Sequence, residues 1–337
     1  MLQVSFVRDA LVEIDRRQAE ILDRGIPYTG IAAQTDRSTA LFECGWAGVV
    51  NGRVEIHVVG ETAELWSLQS VSKTEMLARA LTHFGMKRVT GELVLFHGSS
   101  HFRGTTELRD TNGMPKNPFV NPGAMRVIAA LIEHLGGPRA VVDDVLGALN
   151  FRLRADTPRF FVDPREAEPV QLAAGGSGNL AVAQELARYD MLFGLEPEVV
   201  VETYHTVCAT TGTVAATLEA FFHFADGHDV FGRPVLPCEP SWRLLMSSVV
   251  ALGSYSNAVL DMADRRAGKT GGSGMVVGPT FEGAQGTPPG VFVAASPGLG
   301  EDLNPLVAMR AAAMFGELTR TGLFDSRYGM RPGVTAA

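Results

Sequence analysis

The chain is poor in cysteine and has no CxxC pair. Its three cysteines, Cys44, Cys208 and Cys238, are odd in number and far apart. That argues against a disulfide framework and reads as reduced thiols in a cytoplasmic protein. No stretch approaches about 18 uninterrupted apolar residues, so no membrane span is expected. The first twenty residues, MLQVSFVRDALVEIDRRQAE, mix charge with apolar side chains and lack a signal-peptide core. No basic stripe is present, and the formal charge is −8, so nucleic acid is excluded as the expected partner. There is no internal repeat and no low-complexity tract. His97 and His101, in HGSSH, have no third ligand nearby, and His223 and His228 are no better placed. A polar loop is the reading there, and no metal or cofactor is expected.

What is present is an ordinary globular balance, 46% hydrophobic and 20% charged over 337 residues. That is enough for one large or two moderate domains. Residues 43–59, ECGWAGVVNGRVEIHVV, read as a β-hairpin. Asn51-Gly52 is the turn, because both central positions of a type I′ turn need positive φ. Val54, Ile56 and Val58 then face one way, Glu55 and His57 the other. Residues 67–85 have Leu77, Leu81 and Phe84 at helical spacing, with Gly85 placed to close the helix. Residues 118–135, 179–194 and 203–224 also read as helices, joined by Gly/Pro-rich loops. Short strands follow at 273–279 and 290–296, then an amphipathic helix over about 302–319. The order predicts a sheet built from both chain ends with an inserted helical lobe. The expected division is an α/β lobe at about 1–65 and 240–327, a helical lobe at about 66–239, and a loose tail at 328–337.

Two short stretches carry the chemistry. Ala263-x4-Gly268-Lys269-Thr270 has the letters of a phosphate loop. Such a loop needs a buried strand before it and a helix after it. Here GGSGMVV follows, a poor helix and a fair strand, so the phosphate reading fails. A Gly-rich turn with a solvated lysine is the bland alternative. The second stretch is Ser70-Val71-Ser72-Lys73 at a helix start. Three residues apart on a helix puts Ser70 and Lys73 on one face. A serine hydroxyl is a weak nucleophile until a base takes its proton, and a desolvated lysine can do so. Ser72-Lys73-Thr74-Glu75 also reads as a capping box. An S-x-x-K helix start, then helical matter, then K-T-G on a late strand is the ordered signature of penicillin-recognising serine hydrolases. The backbone N–H groups of Ser70 and Gly272 would then form an oxyanion hole.

Four segments resemble one branch of that superfamily, the serine-dependent glutaminases. WSLQSVSK (66–73) is similar to that family's F-S-I-Q-S-I-S-K. NGMPKNPFVNPGAM (112–125) resembles its N-G-x-P-x-N-P-x-x-N-A-G-A. YHTVCATTGTVAATL (204–218) resembles its Y-x-x-x-C-S segment. AGKTGGSGMVV (267–277) with VAASPGL (293–299) resembles its P-A-K-S-G-V-x-G-G and W-S-P-x-L-D. The resemblance implies a β-lactamase-like α/β fold, an antiparallel sheet flanked by helices with an inserted helical lobe. It implies hydrolysis of L-glutamine to L-glutamate and ammonia through an acyl-enzyme at Ser70, by a cytoplasmic homodimer or homotetramer. By matching position, Lys73 is the base, Tyr255 relays a proton to the leaving ammonia, and Tyr204 sits beside them. Tyr28, Gln69, Asn121, Asn179, Lys269 and Gly272 hold the substrate.

Each of these residues also has a plain structural reading: Tyr204 as core, Asn121 as a loop brace, Tyr255 as an exposed turn residue, Cys208 as a small buried hydrophobe. The chain departs from the family at three points. GSSHFRG (98–104) puts Arg103 near the family's asparagine. AEPVQLAAGGSGN (167–179) has no glutamate at the family's spacing, with Glu166 and Glu168 too far upstream. Gly272 stands where the family has valine. A buried substrate ammonium needs a carboxylate or several acceptors. A related amide such as asparagine, or a non-catalytic amino-acid-binding role, therefore remains open beside glutamine.

Overall fold

The computed structural model describes residues 2–29, 31–60, 64–97, 105–167, 178–252, 268–280, 287–300 and 305–319. In chain order the strands are β1 (Glu43–Val50), β2 (Arg53–Gly60), β3 (Trp66–Ser67), β4 (Phe161–Val162), β5 (Thr210–Gly212), β6 (Lys269–Gly271), β7 (Met275–Thr280) and β8 (Gly290–Ala295). The helices are α1 (Leu2–Gln18), α2 (Ala32–Thr35), α3 (Ser72–Arg88), α4 (Thr105–Asp110), α5 (Asn121–Leu135), α6 (Pro138–Phe151), α7 (Pro164–Ala167), α8 (Gly178–Arg188), α9 (Pro197–Cys208), α10 (Val214–Ala220), α11 (Glu239–Leu252) and α12 (Leu306–Thr319).

Five strands pair in the order β2-β1-β8-β7-β6, antiparallel throughout. The hairpin forms with Val50 opposite Arg53, and Asn51 and Gly52 both take positive φ. Alternation along the strands divides the sheet's residues between two cores. Trp46, Val276, Phe292 and Ala294 pack outward against Val7, Leu11 and Ile14 of α1 and Ala308, Ala311 and Phe315 of α12. Met275, Val277, Val291, Val293 and Ala295 join the larger core with α3, α5, α9 and α10. Val54, Ile56 and Val58 lean on that second core as the alternation requires.

Several expected helices change on folding. The segment 203–224 is not one helix: α9 ends at Cys208, β5 takes Thr210–Gly212, and α10 restarts with the Thr213 side chain accepting from the Ala216 amide. β5 sits between β3 and β4 in a small second sheet. The 179–194 helix stops at Arg188. At Gly85, with φ 71° and ψ 164°, the helical backbone breaks as expected, and a second helical stretch continues to Arg88 beyond the kink. In α5 the segment behaves as expected, with Pro in the first turn and Gly136 at φ 84° closing the end.

The capping box is also absent. Ser72 Oγ donates back to the Gln69 carbonyl at 2.6 Å. The Glu75 carboxylate instead takes both Arg152 nitrogens, at 2.6 and 2.9 Å, in a pair with almost no solvent exposure. This pair ties α3 to the end of α6, and Arg152 reaches on to the Ala220 carbonyl of α10. Removing one partner of a buried pair strands a charge. Arg152→Met is therefore expected to lower stability to urea by about 3–5 kcal/mol, and adding Glu75→Leu to recover most of that loss. A loss below about 1 kcal/mol, as at exposed pairs, would contradict this account.

Candidate active site

The turn that carries Ser70 is built by β3. Leu68 N–H donates to the Thr210 carbonyl at 2.7 Å, and residues 69–71 then form one turn of 3₁₀ helix. Gln69 has φ 45°, a conformation that costs a non-glycine residue energy. Its Nε2 is held by Ser67 Oγ and by the Glu166 carbonyl, both at 3.3 Å. Ser70 follows half-buried, and Lys73 sits in the first turn of α3.

Lys73 is almost wholly buried. Its Nζ donates to the Phe119 carbonyl at 3.1 Å and to Asn121 Oδ1 at 2.6 Å. Burial pushes its pKa down to about 8, against a weak upward pull from Cys208. The segment 117–121 presents both acceptors. Asn117 Oδ1 takes the Phe119 N–H at 2.7 Å, and a side chain at Gly123 would collide with the Asn117 carbonyl. Tyr204, from α9, donates its hydroxyl to the same Asn121 Oδ1 at 3.2 Å, and its ring centroid lies 5.7 Å from Lys73 Nζ.

The edge strand β6 closes the other side. Lys269 is fully buried with Nζ donating to the Thr270 carbonyl at 2.7 Å. Burial, and then the neighbouring Lys73, drive its pKa well below the ordinary lysine value. Gly271 lies so close to the Ser70 turn that a Cβ there would come within 2.6 Å of the Leu68 carbonyl oxygen. At Gly272 a Cβ would meet only the Tyr28 ring, at 3.8 Å. Ile26, two residues before Tyr28, exchanges backbone hydrogen bonds with Leu299 at 3.1 and 2.8 Å, anchoring that segment.

The amides form a line. Asn121 Nδ2 donates to Asn179 Oδ1 at 2.6 Å, and Asn179 Nδ2 lies 2.8 Å from His205 Nε2. Burial lowers the His205 pKa. Ser70, Lys73, Gln69, Asn121, Asn179, Tyr204, Lys269, Gly272 and Tyr28 thus come together around one turn. Tyr255 lies outside the described residues, as do Arg103 and His101.

One neighbour, His205, has no place in the sequence reading, and another, Glu166, figures there only as lying too far upstream. Glu166 is buried at 8% exposure, and its Oε2 accepts from Gln34 Nε2 at 2.5 Å and Ser67 Oγ at 2.8 Å. β4 pairs with β5, which in turn pairs with β3, and this places α7, and so Glu166, beside β3. Only that strand pairing reveals it. His205 carries no signal beyond its place next to Tyr204. Cys208 Sγ is buried against Ser72 Oγ at 3.6 Å, its thiol pKa pushed up chiefly by burial. Among the described residues no group of three or more His, Cys, Asp or Glu could hold a metal.

The architecture is the β-lactamase-like fold, with a serine turn set against an antiparallel edge strand. Within that class the chain belongs to the glutaminase family, whose model matches residues 46–324. A glutaminase of Mesorhizobium japonicum is 30% identical over 277 residues, 80% of this chain and 83% of that protein. One of Caulobacter vibrioides is 32% identical over 206 residues, 60% of this chain and 63% of its own length. Among solved structures, a probable glutaminase, ybaS, superposes at TM-score 0.81 with 18% identity, across 95% of this chain and 99% of that one. Mglu in its glutamate form gives 0.81 at 23%, across 94% and 69%.

Asn121→Asp places a carboxylate where Lys73 now meets a neutral oxygen. An opposite charge at that range favours the ammonium, so the Lys73 midpoint is expected to rise from about 8 by about 1–3 pH units. The chain has four lysines, Lys73, Lys87, Lys116 and Lys269, so a carbon-13 NMR titration of labelled lysine resolves the change. An unmoved midpoint would show that Asn121 does not face the amine.

Proposed function

We propose that this protein hydrolyses L-glutamine to L-glutamate and ammonia through an acyl-enzyme on Ser70. The observation that carries the reading is the desolvated Lys73 amine, one helical turn beyond Ser70 and beside the β6 edge. A neutral amine there accepts the Ser70 proton as Oγ attacks the side-chain amide carbon of the substrate. The N–H groups of Ser70 and Gly272 stabilise the oxyanion. Collapse breaks the C–N bond, and the Lys73 ammonium returns its proton to the departing nitrogen, with Tyr255 as the relay. Water then adds to the ester carbonyl, loses its proton to Lys73, and releases glutamate and the serine hydroxyl. Asn121, Asn179, Tyr204, Gln69 and Tyr28 surround the amino-acid head, with the buried Lys269 amine behind it.

A second reading has one observation in its favour. The Glu166 carboxylate is engaged by Gln34 and Ser67, so an amide with a different head group, such as asparagine, competes with glutamine as substrate. The working unit is taken to be a homodimer or homotetramer, as the family resemblance implies, in the cytoplasm, as the few, widely spaced cysteines suggest.

Ammonia release from glutamine and from asparagine tests both readings. Ser70→Ala is expected to lower kcat by about 10⁴-fold or more. Because only the neutral amine accepts a proton, kcat/KM should climb with pH through a midpoint near 8, the Lys73 value. Equal rates for wild type and Ser70→Ala would end the nucleophile assignment. A profile flat from about pH 6 to 9 would remove Lys73 as the base.

A further inference from the structure

We infer that His205 is a positioning residue that fixes which way round the Asn121–Asn179 amide pair stands. The Lys73 amine sits 2.6 Å from Asn121 Oδ1. Charged or neutral, the amine keeps at least two N–H donors, one for the Phe119 carbonyl and one for Asn121, so the oxygen end of the Asn121 amide faces it. The Tyr204 hydroxyl, at 3.2 Å from the same oxygen, is satisfied by the same orientation. Asn121 Nδ2 is then committed to donate, and it meets Asn179 at 2.6 Å, which must present Oδ1. Asn179 Nδ2 in turn needs an acceptor, and His205 Nε2 stands 2.8 Å away. For that nitrogen to accept, the ring must be neutral with its proton on Nδ1. Half-burial of the ring works in that direction.

Three hydrogen bonds therefore run in one sense from the reacting amine to the imidazole, each fixed by the one before. Turned the other way, Asn179 would point its NH₂ at the NH₂ of Asn121, and the contact would be lost. His205 and Tyr204 are consecutive residues of α9, so one helical turn pins both amides: Tyr204 the first, His205 the second. His205 makes no described hydrogen bond to Ser70 or Lys73. It acts through Asn179, and its effect on catalysis follows from how that amide meets the substrate's head.

The inference rests on the reading of Ser70 and Lys73 as the reacting pair with the two asparagines beside the head group. Two variants of the full chain test it. His205→Phe keeps a flat ring and removes the acceptor; His205→Gln offers an amide oxygen at about the reach of Nε2. His205→Phe is expected to raise KM for glutamine about tenfold with a smaller change in kcat, as for one lost hydrogen bond to a committed donor. His205→Gln should return KM to within about threefold of wild type. Wild-type KM in His205→Phe, or equal impairment in both variants, would overturn the inference. A second readout is independent of turnover: nitrogen-15 NMR of the histidine-labelled wild type should show His205 protonated at Nδ1 and bare at Nε2. The opposite tautomer, or a doubly protonated ring at neutral pH, would overturn it as well. If wild type released no ammonia from glutamine, the proposed activity would fall, while the tautomer would still decide the orientation of the amides.

Discussion

Everything at this site depends on taking the Lys73 amine out of water. A pKa near 8 in place of 10.5 means that folding works against the ammonium by about 3 kcal/mol. A carboxylate partner would relieve that cost and would also restore the charge. The fold gives it neutral acceptors, the Phe119 carbonyl and Asn121 Oδ1. The amine is satisfied as a hydrogen-bond donor without being held as a cation. A second buried lysine, Lys269, is shifted well below its ordinary value in the same sense, by burial first and then by the charge of Lys73.

Dry surroundings of that kind need several distant segments to close at once. β6 covers one side and can approach only because position 271 has no side chain. Residues 117–121 cover another, with Gly123 packed on the Asn117 carbonyl. α9 supplies Tyr204, and the turn after β3 supplies Ser70. Leu68, Val71, Phe119 and Tyr204 tie three of these segments into the larger core. The buried Arg152–Glu75 pair fixes α3, and so Lys73, relative to α6 and α10.

The sequence makes some of this visible and hides the rest for identifiable reasons. The β1–β2 hairpin is legible because Asn51-Gly52 admits positive φ where the turn demands it. The strand at Lys269–Gly271 is legible because nothing after it can start a helix. The break at 209–213 is not: apolar residues of α9 and α10 continue one helical rhythm, and a strand of three small or β-branched residues leaves no period to read. The capping box fails for a tertiary reason. Glu75 meets an arginine 77 residues away, and a buried charge-assisted pair outweighs a local cap. Of the site, the family motifs name residues that the fold brings together, while His205 and Glu166 become meaningful only through what they touch.

Glu166 shows why spacing along the chain is a poor guide to this wall. What places its carboxylate is the small sheet. Ser67 pairs with Thr211, which also pairs with Phe161, and Asp163 N–H donates to the Ala209 carbonyl. Once those strands register, residue 166 must lie beneath residues 67 and 69, whatever the length of chain that follows before Asn179. From there its carboxylate takes Ser67 and Gln34, and its backbone carbonyl takes Gln69. Gln69 is the residue with left-handed φ immediately before Ser70. A strained residue persists only where its surroundings over-determine it, and Glu166, Ser67 and Gln34 are those surroundings. Glu166 thus acts on Ser70 through the backbone that presents it, which makes the pose of Ser70 a property of the small sheet as much as of α3.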